Sequence, residues 1–127
     1  MRTIELLEKI RPIWIERVSR QLARGESVRE SFIQQLTEYF NMMKQAVITG
    51  DPSWMHNVLD GWTESRTITE IENQDVSLAP ILSQIMMATH EVASEILDDS
   101  DAMVLLGAIL PLYTYTVQYT TRLETNV

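Results

Sequence analysis

The stretch from Asp101 to Glu124, DAMVLLGAILPLYTYTVQYTTRLE, carries no charged residue between Ala102 and Thr121. Elsewhere in the chain apolar and charged positions alternate. A helix that is apolar nearly all round has to be covered on most sides. This segment is therefore the expected central element, with amphipathic helices packed around it. Its second half pulls the other way, because Tyr113, Tyr115, Val117 and Tyr119 alternate with Thr114, Thr116 and Gln118. Propensity alone favours a strand there. A lone strand in an otherwise helical chain would leave its backbone groups unpaired, so the helix is expected to continue. Pro111 is expected to kink it, with Gly107 one turn earlier easing the clash. The threonine hydroxyls are expected to bond back to carbonyls in the preceding turn. The half before Pro111 reads as core, and the half after it as an interface or an exit toward a partner. As a membrane span the segment falls short. Ala102 to Tyr113 is a dozen mostly apolar residues, against the roughly 20 that a span needs.

Four amphipathic helices are expected ahead of it. The first runs from Thr3, read as its N-cap, to Ala23, with Leu7, Ile10, Trp14, Val18 and Leu22 on one face. Pro12 either kinks this helix or marks its true start, leaving a separate N-terminal arm. Gly25 is the expected left-handed stop. Ser27 and Glu30 have capping-box spacing ahead of a second helix that buries Phe32, Leu36, Tyr39, Phe40, Met43 and Val47. After Thr49-Gly50, Asp51-Pro52 opens a third helix, with Asp as cap and Pro in the first helical position. The short link makes the second and third helices packed neighbours. Trp54, Met55, Val58, Leu59 and Trp62 form the third stripe, and Gly61 is a place for close helix approach. Thr67 to Val76 reads as a frayed end and a loop. The fourth helix starts near Ser77 and faces inward through Ile81, Leu82, Ile85, Met86, Thr89, Ala93 and Ile96. Asp98 and Asp99 mark its stop, and Ser100 or Asp101 caps the last helix.

The chain is long enough for one domain with its own core. It has no cysteine, so disulfides and thiolate chemistry are excluded. Its N-terminus lacks an uninterrupted apolar run of signal-peptide type. Both features fit the cytoplasm. The net charge of -8 is unevenly spread, with seven of the ten Lys and Arg in the first 30 residues. Between Thr67 and Thr121 there are eight acidic residues and no basic one, which speaks against a phosphate backbone as partner. The asymmetry reads either as a solvated acidic face or as complementarity between the first helix and the later ones, within one chain or across a dimer.

Catalytic and metal signatures are missing. The two histidines, His56 and His90, have no second ligand at chelating helical spacing. His56 reads as a boundary residue beside the third stripe. Asp98, Asp99 and Asp101 lack the glycine and glutamate of a calcium loop. No nucleophile elbow or glycine-rich phosphate loop is present. The chain is not expected to be an enzyme, or to hold a metal or a resident cofactor. The methionines read as core filling or as the lining of an adaptable pocket.

Trp14-Ile15, the run FIQQLTEYFNMMKQAVITGDPSWM and LDGWTESR from Leu59 to Arg66 resemble a family of helical N-terminal modules on bacterial signalling proteins. The family includes the N-terminal domain of RsbT co-antagonist (RsbR-type) stress regulators and segments ahead of histidine-kinase domains. The resemblance implies a cytoplasmic sensory or dimerisation module with an effector domain downstream. It carries no catalytic residue to transfer. A last helix without a terminating glycine fits the same expectation, that of an N-terminal module whose final helix continues into a linker.

The expectation is thus an all-α, single bundle of about five helices over residues 1–127, with a central apolar C-terminal helix. It acts as a non-catalytic sensory or regulatory module. It forms a homodimer and passes a signal to a downstream effector domain or protein partner, with no nucleic acid and no membrane span. Leu105, Ile109, Leu112, Tyr115 and Tyr119 are the candidate dimer or signal-output residues. The alternative is a small-molecule or haem sensor whose pocket, between the third, fourth and fifth helices, is lined by Trp62, Met86, His90 and Tyr113.

Overall fold

In the computed structural model residues 2–22, 26–65 and 78–125 are described. Among them the chain forms five α-helices and one 3-10 turn, without strands: α1 (Arg2–Leu22), α2 (Glu26–Thr49), the 3-10 turn (Pro52–Met55), α3 (His56–Ser65), α4 (Ala79–Ile96) and α5 (Asp99–Thr125). The stripes read from the sequence build the core. Leu6, Leu7, Ile10, Trp14 and Val18 of α1 are buried against Phe32, Leu36, Tyr39, Phe40 and Met43 of α2 and Leu82, Ile85, Ala88, Val92 and Ala93 of α4. Burying an aliphatic or aromatic side chain contributes about 1.5–3 kcal/mol, so this three-helix contact is the main apolar reservoir. α5 touches α1, α2, α3, α4 and the 3-10 turn. It is central in that sense.

Several local expectations change. α1 is one continuous helix through Pro12, which is exposed. The carbonyl that Pro12 leaves without an amide donor therefore falls on the solvent side, where water satisfies it. A separate arm is ruled out, since Leu6, Leu7 and Ile10 are core residues. Thr3 lies within α1 rather than capping it, and Ser27 lies within α2, which starts at Glu26. Gly25 and Thr67 to Val76 lie outside the described residues. Gly50 does adopt the left-handed conformation, φ 70°, where only glycine is unstrained. Asp51 caps the Pro52–Met55 turn, accepting the Ser53 amide at 3.0 Å, but that turn is 3-10 rather than α. Trp54 is 42% exposed and so leaves the α3 stripe. Gly61 has open space around it rather than a closely approaching helix. The cap of α5 is Asp98, whose carboxylate accepts the Asp101 amide at 2.7 Å. The acids after α4 thus serve the positive end of the next helix.

α5 runs unbroken through Pro111. The Thr/Tyr alternation does not make a strand. Thr116 and Thr120 are buried and donate to the carbonyls of Tyr113, 2.7 Å, and Thr116, 2.9 Å. Pro111 and Gly107 are both exposed, so the missing helical bond again faces water. The expectation that α5 is covered on most sides fails. Only one side, Ala102, Leu105, Ile109, Leu112, Thr116 and Thr120, is buried.

Candidate functional site

The four residues expected to line a pocket do not converge. Trp62 is buried and stacks on Tyr39 with ring centroids 5.2 Å apart. Burial in that stack pushes the Tyr39 phenol above its ordinary range. Met86 and Tyr113 do meet, together with Tyr39, Thr89 and Ile109, but around a void of about 10 Å³. That volume holds a water at most, so neither haem nor another organic ligand fits there. His90 is exposed on the outer side of α4. Among the described residues no three His, Asp or Glu side chains are grouped to hold a metal ion.

The five residues expected at a dimer or output face also turn inward. Leu105, Ile109 and Leu112 are core residues. They share one helix face, and the rest of the bundle covers it. Tyr115 and Tyr119 are half-buried against α3. There they meet His56 and Asp60. The His56 ring stacks on Tyr119 at 4.1 Å, and its Nε2 lies 2.6 Å from the Tyr115 hydroxyl. Tyr119 donates to Asp60 Oδ1 at 2.6 Å. The bond to Asp60, with burial second, pushes the Tyr119 phenol up to about 12. Sequence reading missed this ladder. Its signal is a matched spacing: His56 and Asp60 are one turn apart on α3, Tyr115 and Tyr119 one turn apart on α5, and each pair shares a helix face.

Part of the charge asymmetry is met within the chain. Arg2 pairs with Asp101 at 2.6 Å and Arg17 with Glu95 at 2.8 Å, tying α1 to the acidic helices. The hydrogen bond from Arg17 holds the Glu95 carboxyl below its usual range. Glu8 is lowered likewise by Lys44, 2.6 Å away on α2.

Two open features remain. A groove of about 340 Å³ lies between α2 and α5, walled by Ala46, Val47, Gly50, Pro52, Pro111 and Tyr115 among others. Beside it runs the outward face of α5, where Met103 is 75%, Val104 45% and Leu110 52% exposed. These lie before Pro111, in the half read as core, so the division of the helix at Pro111 is reversed in part. The segment Asp99–Leu123 is long and apolar enough to cross a membrane by length and composition, and 28% of that window is buried. One such helix also occurs in soluble bundles, and here its inner side is already committed to α1, α2, α3 and α4.

No family model, no curated protein and no solved structure matches the chain. The likeness to stress-regulator modules therefore rests on the sequence features alone.

Proposed function

We propose that this chain is a non-catalytic regulatory module of a cytoplasmic signalling protein. It works as a homodimer and uses α5 as its output element toward an effector domain or protein partner. The observation that carries this reading is the double character of α5. One side packs on all the other described elements, and the opposite side exposes large apolar residues. A shift in packing at α3 or α4 reaches α5 directly, and the outer side is where a partner senses it. Large contiguous exposed apolar patches mark interaction surfaces.

Hydrogen exchange tests the coupling. Asp60→Asn weakens the α3–α5 ladder at one point. The expected result is faster exchange along α5 well beyond the turn that holds Tyr119. A change confined to α3 contradicts an output role for α5.

A second reading, a small-molecule sensor, moves from the residues expected in the sequence to the groove between α2 and α5. Its volume lies at the low end of ligand sites. Its walls suit a small neutral aromatic or aliphatic compound. Titration with indole, followed by chemical shifts at Ala46 and Tyr115, separates it from the first.

A further inference from the structure

We propose that the outward face of α5 pairs with the same face of a second copy of this chain, antiparallel, about a two-fold axis at the level of Leu112. This rests on the homodimer reading and gives it a surface and a register.

Met103, Gly107, Leu110, Thr114, Val117 and Thr121 follow one another at alternating steps of four and three residues. That is the spacing of a helix–helix seam. All are exposed except Val117, which is half-buried. Large and small residues alternate along it. In a parallel pair like faces like. Gly107 would sit opposite Gly107 and Leu110 opposite Leu110, so the layers would be wide and narrow in turn. In an antiparallel pair centred on Leu112, Met103 meets the partner's Thr121, Gly107 meets the partner's Val117, and Leu110 meets the partner's Thr114. Every layer then joins one larger and one smaller side chain, which keeps the helices at an even distance.

Charge agrees with this register. No charged side chain lies between Ala102 and Thr121, so nothing in the seam repels its own copy or calls for a counter-charge from a different protein. At the ends, Asp99 and Asp101 lie in the first turn, while Arg122 and Glu124 balance one another near the last. Parallel pairing sets the two acidic first turns against each other, and antiparallel pairing keeps them apart. A two-fold interface needs a surface complementary to itself, and this face meets that condition in one orientation. The seam is about 27 Å long.

The chain has no native cysteine, so introduced thiols report on the seam alone. Met103→Cys and Thr121→Cys both fall at exposed positions and leave the core intact. Chains carrying one or the other, distinguished by a tag, are mixed and mildly oxidised while light scattering follows their mass. The expected result is a dimer that links Met103→Cys to Thr121→Cys, with neither variant linking to itself. Self-linkage of Met103→Cys without the mixed product means a parallel pair and overturns the register. A dimer by scattering with no linkage in any combination overturns this surface but leaves the homodimer standing. A monomer at high micromolar concentration overturns both. So does a monomer that floats with phosphatidylcholine vesicles, which assigns the face to lipid.

Discussion

Tyr119 donates its hydroxyl proton to Asp60 across 2.6 Å, and the same ring lies face to face with His56. Two residues of α3 are thus held by one residue of α5. With the His56–Tyr115 bond, they form the polar join between those helices.

Removing the donor tests the join. Tyr119→Phe keeps the stacked ring and leaves Asp60 without its partner. It should lower stability by about 1.5 kcal/mol, the low end for hydrogen bonds to a charged group because the pair is only half-buried, read from urea unfolding at neutral pH. The matching Asp60→Asn variant should lower the Tyr119 phenol toward its ordinary value, read from tyrosinate absorbance.

The pH dependence has a definite sign. The Tyr119 phenol is raised from 10.0 to about 12, so the folded state holds this proton more tightly than the unfolded chain does. Its contribution is fully present below pH 10 and is lost as pH rises through about 12. The stability difference between wild type and Tyr119→Phe should therefore be constant from neutral pH to about 9 and shrink above 10. Urea midpoints for both proteins across that range check it.

A second polar bond lies deep in the core. Trp14 Nε1 donates to Thr89 Oγ1 at 2.7 Å, and Thr89 donates in turn to the Ile85 carbonyl at 2.6 Å. Thr89→Val keeps the shape and leaves the indole N–H buried without an acceptor. The expected cost is about 1–3 kcal/mol. Thr89→Ser, which retains the hydroxyl, should lose less. Chemical unfolding with Trp fluorescence distinguishes the two.

Gly61 sits inside α3 with no atom near the position of an added Cβ. Gly61→Ala should stabilise the protein by about 0.5–1 kcal/mol, because alanine loses less backbone entropy in a helix. The melting temperature reads it. A loss of stability would mean that this face is covered after all.

The ion pairs between α1 and the later helices are solvent-exposed. Arg17→Gln removes the bond to Glu95, and its effect on the urea midpoint should be small at low salt and vanish in concentrated salt. Titration of Glu95 should meanwhile return toward the ordinary carboxylate range.

Much of the fold was legible because four helices are amphipathic. A stripe such as Leu82, Ile85, Thr89 and Ala93 names its own buried side. α5 has no such stripe. Its sequence is apolar all round, so periodicity could not say that Leu105 and Ile109 face inward while Met103 and Leu110 face solvent. The start of α5 was misread because three acceptors compete within four residues, Asp98 against Ser100 and Asp101. The His56–Tyr115–Tyr119–Asp60 ladder stayed hidden because its halves are far apart in the chain. Nothing local to either says that they meet. The pocket expected around His90 failed for a related reason, since a position one step off the inward stripe of α4 turned out to face solvent.

The most direct test concerns the outward face of α5. Sedimentation equilibrium is run at tens to hundreds of micromolar on the wild-type chain and on Leu110→Glu, an exposed position where the charge leaves the core untouched. The expected result is twice the 14.6 kDa chain mass for the wild type, and the single-chain mass for Leu110→Glu with an unchanged helical circular dichroism spectrum. A wild-type chain that stays at single-chain mass throughout, or a Leu110→Glu variant that pairs as tightly as wild type, contradicts it.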